Sequence, residues 1–255
     1  MTIPDVQRLI GALRLPDAAS VQQRVPKSLL IEHGASTASD KRLIEAGVDE
    51  LRWIASLKPA TVGIAAFEDS ARQCVELIVL TLSMRPDSKP TRLLELVHRA
   101  IPYHTLLLAS EPNGKCIGSL ADKRWSQVES GRVVLDGEVV STDLTTTDRP
   151  TFDALLGTLA VSRRPYTNLY SLYRTWLDAM LAVEASRKTG AFVESDSTER
   201  FAARHAALAE CAELEKRINA IRVAAAKERQ MSRQVELNLQ ARQLQIRYEE
   251  ARKLL

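Results

Sequence analysis

The stretch "VHRAIPYHTLLL", Val97–Leu108, contains the change of pattern that decides the fold. Before it, "KPTRLLELVHRAIP" places Leu93, Leu94, Leu96 and Val97 at helical spacing. After it, "YHTLLLAS" is a short apolar run of strand type, and Pro102 separates the two. Two histidines flank the join. Metal-binding histidines need an i, i+4 spacing on a helix, or a tight loop, to aim both rings at one point. Here a proline-broken junction lies between His98 and His104, and neither HxxxH nor HExxH occurs. The expectation is therefore a structural joint, with His98 near the carbonyls at the helix end and His104 packed or solvated at the strand edge.

Working outward, "TVGIAAF" and "CVELIVLTLSM" read as strands, being rich in β-branched and apolar residues. "YHTLLLAS" and "KCIGSLADK" form two strand-like runs joined by "EPNGK", where Asn113-Gly114 suits a hairpin turn. In "RVVLDGEVVSTDL", residues 133–144 read as one bent or bulged strand across Asp136-Gly137. Helical spacing covers Ile3–Leu13, and also "STASDKRLIEAGVDELRWIASLKP". In the latter, Ser36, Thr37 or Ser39 caps a helix that presents Leu43, Ile44, Leu51 and Ile54, interrupted at Gly47 and stopped at Lys58-Pro59. Strands mixed with separate helices predict an α+β fold: a domain over 1–148 with a largely antiparallel sheet and packed helices.

From Thr151 no strand pattern remains. "TFDALLGTLA" and "NLYSLYRTWLDAMLAVEASRKTG" read as helices, the second ending at Gly190, and they make up a helical segment over 149–196. Residues 197–255 then hold neither Gly nor Pro after the "ESDST" joint, which predicts one long helix of coiled-coil type extending roughly 80 Å. Ile218 and Ile221 lie near one heptad seam. Leu237, Ala241, Leu244, Tyr248, Ala251 and Leu255 follow a 4-3-4-3-4 spacing in a second phase. Val235, Leu239 and Ile246 continue the first phase, interrupted by Arg242 and Glu249, so two apolar faces are expected on the distal helix. Self-association through this tail is expected.

The 255 residues are 45% hydrophobic and 26% charged, with net charge +3 and a pI of 8.8, which permits nucleic-acid contact without arguing for it. Three scattered cysteines, Cys74, Cys116 and Cys211, argue against a disulfide framework or a zinc site and fit a reducing cytoplasm. The opening residues lack the pattern of a signal peptide, and no apolar run reaches the roughly 20 residues of a membrane span. There is no GxxxxGK[ST], GxGxxG or GxSxG motif, and no cofactor is expected. For a metal-dependent nuclease, Glu68, Asp69, Glu76, Glu111 and Lys123 are the recruitable residues, but they show no D…ExK pattern. In "ADKRW" two cations stand beside an indole, so Lys123, Arg124 and Trp125 are candidates to hold a phosphate and stack a base. Lys27, Lys41 and Arg42 are further basic candidates.

Six segments in order, "VPKSLLIEHGASTASDKRLI", "ELRWIASLKPATVGI", "LVHRAIPYHTLLL", "ADKRW", "NLYSLYRTWLDAMLAVEASRKTG" and "QMSRQVELNLQARQLQ", resemble the bacterial family known as domain of unknown function 4391. The resemblance spans nearly the whole chain. It implies a cytoplasmic bacterial protein encoded beside DNA methyltransferase and helicase genes of restriction or phage-defence islands, and it brings no catalytic residues. The expected function is that of a non-enzymatic accessory or assembly protein of such a system, with a methyltransferase or helicase as partner and DNA or RNA as a further one. The alternatives are a metal-dependent nuclease or other DNA-processing enzyme, and a purely structural coiled-coil scaffold.

Overall fold

The computed structural model describes residues 5–129, 131–163 and 165–255; Ile3, the first residue of the expected N-terminal helix, lies outside them. By Cα proximity the chain divides into two units, Met1–Met180 and Leu181–Leu255, so the segment 149–196 is shared between them.

The first unit opens with α1 (Val6–Ala12), where the Asp5 carboxylate accepts from the Gln7 amide. Strand β1 (Ser20–Arg24) is followed by α2 (Lys27–Gly34) and α3 (Ala38–Gly47), with Thr37 capping α3 through the Asp40 amide. Strand β2 (Val48–Leu57) comes next, where the sequence pattern predicts more helix. The physical reason is two irregularities in its pairing, between Val48 and Glu50 and between Trp53 and Ala55. Each bulge shifts the inward-facing parity by one, so the buried Val48, Leu51, Ile54 and Ala55 fall at spacings of three and one instead of two. A doubly bulged strand thus mimics a helical stripe. The segment read as the strand "TVGIAAF" is mostly not strand: α4 (Pro59–Val62) ends at Gly63, residues 64–66 are irregular, and only the two-residue β3 (Phe67–Glu68) follows, paired with β4 (Gln73–Cys74).

Strand β5 (Leu77–Met84), α5 (Pro90–Ala100) and β6 (His104–Ser110) match the expected strand–helix–strand order. Then come β7 (Cys116–Leu120), β8 (Lys123–Trp125), β9 (Val133–Leu135), β10 (Val140–Asp143), α6 (Arg149–Leu159) and α7 (Leu169–Thr189). Residues 133–144 are not one bent strand. Gly137, at φ +88°, lies between β9, which pairs with β8 in a separate ribbon, and β10, which joins the main sheet beside β7.

The main sheet has the order β1-β2-β5-β6-β7-β10 and is antiparallel except for the central pair β5/β6. Because β5 and β6 run parallel, the chain must cross over between them, and α5 makes that crossing. One sheet face, with Ile78, Leu80, Leu82, Leu107 and Ile117, packs on Leu30 of α2, Ile44 of α3 and Leu93, Leu96 and Val97 of α5. The alternate residues, among them Leu77, Val79, Leu106 and Leu108, are also buried, on the face that carries α1 and α7. There Gly118 lets Met180 approach the sheet: a Cβ at this position would meet its sulfur at 2.8 Å. The edge strand β1 is exposed throughout and irregular, with Gln22 at φ +52°.

In the second unit, residues 197–255 are not one helix but two, α8 (Thr198–Lys227) and α9 (Met231–Arg252), packed against each other. Glu228 makes the break: its carboxylate accepts from the amides of Arg229 and Gln230, and Gln234 donates to the carbonyl of Ala225. Among the described residues no helix is long and apolar enough to cross a membrane.

Gly34 supplies a direct test of the α2–α5 packing. A Cβ there would lie 2.6 Å from the Leu96 carbonyl oxygen, a backbone atom that cannot turn aside. Gly34→Ala is expected to destabilise the protein by roughly 1–3 kcal/mol. Gly157→Ala, in α6 with open space around it, stabilises by up to about 1 kcal/mol. Urea denaturation of the two variants measures both.

Candidate functional site

"ADKRW" lies where the chain leaves β7, and its consecutive charged side chains diverge. Asp122 accepts from Arg72 Nη1 at 2.6 Å, Tyr170 Oη at 2.7 Å and His104 Nε2 at 3.1 Å. Arg72 also donates to Asp136 at 3.0 Å, and Asp136 pairs with Arg124 at 3.3 Å. His104 is packed edge-on against Tyr170 and Tyr173, and Phe67 stacks on Tyr170. This network ties β3, β4, the β8–β9 ribbon and α7 together. Burial alone would raise the Asp122 carboxyl, but hydrogen bonds from His104 and Tyr170 and the charge of Arg72 outweigh it and hold the group at about 2. Burial lowers His104, so the ring is neutral and donates to Asp122.

Lys123 turns the other way. It is 2% exposed, and its ammonium donates to the carbonyls of His98, at 2.9 Å, and Ile101 at the C-terminal end of α5. The cation that meets this helix end is therefore Lys123, not His98. His98 is buried instead, with Nε2 3.0 Å from Ser119 Oγ and Nδ1 unpartnered. The two histidines belong to opposite faces of the sheet: His98 stands over Ser119 beside Ile117, whereas His104 shares the parity of Leu106. They form no pair.

Beside Lys123 lies a cavity of about 870 Å³. The C-terminal ends of α2 and α5 and strand β9 wall it, through Ala35, Ile101, Pro102, Val133 and Leu135, with Arg99 and Arg132 among its charged residues. Burial pushes the Lys123 ammonium down to about 7, and it drives His98 well below the usual imidazole range.

The six nucleic-acid candidates do not form one surface. Lys123 is enclosed, so it presents no charge to a phosphate backbone; Arg124 is engaged by Asp136, and Trp125 is half-buried with its amide on Ala71. Lys41 and Arg42 are exposed on α3. Lys27 opens α2, at the end away from the cavity, and donates to the Glu45 carbonyl. Sequence reading missed its neighbours: burial, then the charges of Arg85 and Arg24, lower Lys27, and Asp49 opposes them. The cross-strand pairing of Arg24 with Arg52 was the missing signal, and it requires β1, which has no apolar alternation to reveal it.

The acidic residues considered for a nuclease are engaged separately. Glu76 accepts from Ser56, Glu68 from Gln73, Asp69 from the Ala71 and Arg72 amides, and Glu111 pairs with Lys115. Among the described residues no three His, Cys, Asp or Glu side chains gather to hold a metal. Burial pushes the thiols of Cys74 and Cys116 up to about 12, leaving no thiolate at neutral pH.

The heptad seams meet within the chain. Cys211, Leu214, Ile218 and Ala225 of α8 and Ala241 and Ala251 of α9 are buried, and Ile221, Leu237, Leu244, Tyr248 and Leu255 are half-buried. Tyr248 lies beside Lys188, which pairs with Glu215 at 2.6 Å. The residues expected to seal a dimer are thus covered by the opposing helix. The other phase of α9 stays open: Val235, Leu239 and Ile246 are 53%, 55% and 56% exposed.

The Asp122 network predicts an acid-sensitive stability. Because the folded carboxyl titrates near 2 against an ordinary 3.8, its contribution is complete above about pH 4 and is lost as pH falls through 2. Asp122→Asn is expected to lie roughly 2 kcal/mol below wild type at pH 5, with the gap closing at pH 2. Denaturation of both proteins across this range checks it; a pH-independent gap refutes it.

None of the curated proteins and none of the solved structures matches the chain. A family model does, over residues 13–247, which takes in both units almost entire. With its sheet, its Asp122–Lys123 node and all but the last turn of its helical hairpin inside the matched range, the chain belongs to the family described as domain of unknown function (DUF4391).

Proposed function

We propose that this chain is a non-enzymatic accessory protein that works by assembly, within a bacterial restriction-modification or anti-phage system. The observation that carries this reading is the open stripe of α9. With the seam of Leu237, Leu244 and Tyr248 turned to α8, Val235, Leu239 and Ile246 remain exposed along one side of α9, an apolar stripe interrupted at Arg242 of the kind that marks a protein contact. The partner is a second copy of the chain or the methyltransferase or helicase encoded beside it. Removing α9 altogether is not a clean test, because it would also bare the α8 seam. The substitution pair Leu239→Lys, Ile246→Lys leaves that seam intact. Co-expressed with the neighbouring gene products, the wild type is expected to elute as a complex or as a dimer by light scattering, and the double variant as a monomer with an unchanged melting temperature. A wild type that is monomeric and alone, or a variant that keeps its partner, refutes the reading.

A second reading, contact with nucleic acid, draws on one observation: Arg24 lies opposite Arg52 across β1–β2, and Lys27 beside them is lowered by burial first and then by the charges of Arg85 and Arg24, with Asp49 and Glu45 opposing. Cations gathered in this way release counterions when they meet phosphates. Arg24→Glu, Lys27→Glu is expected to weaken DNA or RNA binding and reduce its salt slope by about 2. Titrations at several salt concentrations measure the slope; a wild type that binds neither at low salt ends this reading.

A further inference from the structure

We propose that the cavity between the C-terminal ends of α2 and α5 and strand β9 binds a small organic anion, an acidic group on an apolar body, with the acid seated at Lys123 and His98. The proposal involves no residue of the helical hairpin and stands apart from the assembly reading. A buried cation is ordinarily paired with a carboxylate, because an uncompensated charge is costly to desolvate. Lys123 has none among the described residues: its ammonium donates to two neutral carbonyls, and the adjacent Asp122 is turned to the other side, onto Arg72, Tyr170 and His104. Beside it His98 Nδ1 is buried without a partner, and in the tautomer that protonates this nitrogen it offers an N–H donor. Both residues line the same cavity. Of the other charged residues in its lining, Arg132 is paired with Glu129 and Arg99 with Glu95, so the buried amine is the cation left without a counter-charge at the cavity wall. The walls contributed by Ile101, Pro102, Val133 and Leu135 are apolar and suit a hydrocarbon or aromatic body, and a volume of about 870 Å³ accommodates one. The low titration of Lys123 agrees with a charge awaiting a counterion, and an anion bound there would raise it.

The probe is 8-anilinonaphthalene-1-sulfonate, an aromatic body with one sulfonate, titrated into the full chain. Expected is a saturable fluorescence rise at one dye per chain, displaced by octanoate and not by inorganic phosphate, which lacks the apolar body. Ala35→Trp, which fills the cavity from α2, abolishes binding, and Lys123→Gln weakens it about tenfold. Leu239→Lys, Ile246→Lys leaves it unchanged, which separates this site from the open hairpin stripe. Circular dichroism melts show which variants remain folded; if Lys123→Gln does not fold, Ala35→Trp decides alone. The proposal is overturned by absence of saturable binding, by binding that survives in folded Ala35→Trp, by loss of binding in the hairpin variant, or by displacement with phosphate as effective as with octanoate.

Discussion

The parallel pairing of β5 with β6 is the constraint on which the first unit depends. Two parallel neighbours cannot be joined by a tight turn, so α5 must run back along the sheet before β6 begins. That crossing buries one face of the central strands beneath α5, with α2 and α3 beside it, and it commits the other face to be covered as well, since β5 and β6 are apolar on both sides. It also fixes where α5 ends. The last carbonyls of that helix fall inside the protein, away from water, and buried carbonyls require donors. Lys123 supplies them from strand β8, 22 residues beyond Ile101, and the cavity opens where that helix end, the end of α2 and the β8–β9 ribbon come together.

Asp122 and Lys123 show how adjacent residues of extended chain serve two environments. The alternation of a strand sends one side chain toward α7 and the other toward α5. On the first side an ionised carboxylate is surrounded by donors from Arg72, Tyr170 and His104, and the charges balance. On the second side a cation meets only carbonyl dipoles. The contrast is one of compensation: both side chains are largely withdrawn from solvent, and only one has a counter-charge.

Much of the architecture was legible because it rests on local pattern. The helix–strand join at Pro102, the β6–β7 hairpin at Asn113-Gly114 and the end of α7 at Gly190 all follow from residues that restrict or release the backbone. What escaped has specific causes. Bulges scrambled the parity of β2, and the wholly exposed β1 has no apolar alternation to read. The break between α8 and α9 uses neither Gly nor Pro; Glu228 satisfies the next two amides with its own carboxylate, and composition does not register that. The candidate site was half legible. "ADKRW" was singled out, but for surface contacts, because lysine is almost never enclosed without a partner and its residue type reads as solvent-facing. The apolar phase of Val235, Leu239 and Ile246 was visible in the spacing of α9, and it is this phase that remains open.

The irregular edge strand has a consequence for how copies of this chain meet. A sheet edge with a free row of N–H and C=O groups is a template on which further strands grow, and a mixed sheet of six strands has two such edges. At one of them the left-handed Gln22 and the shifted register between Ser20 and Gln23 twist the strand out of alignment, while Arg24 adds a charge. At the other, β10 is only four residues long, and Thr142 is tied by its hydroxyl to the Met180 carbonyl. Neither edge offers the flat, uninterrupted ladder that runaway strand addition requires. Cross-β polymerisation is thus disfavoured from the native state, and the protein can keep an apolar helical surface exposed without also carrying the aggregation hazard of an open sheet.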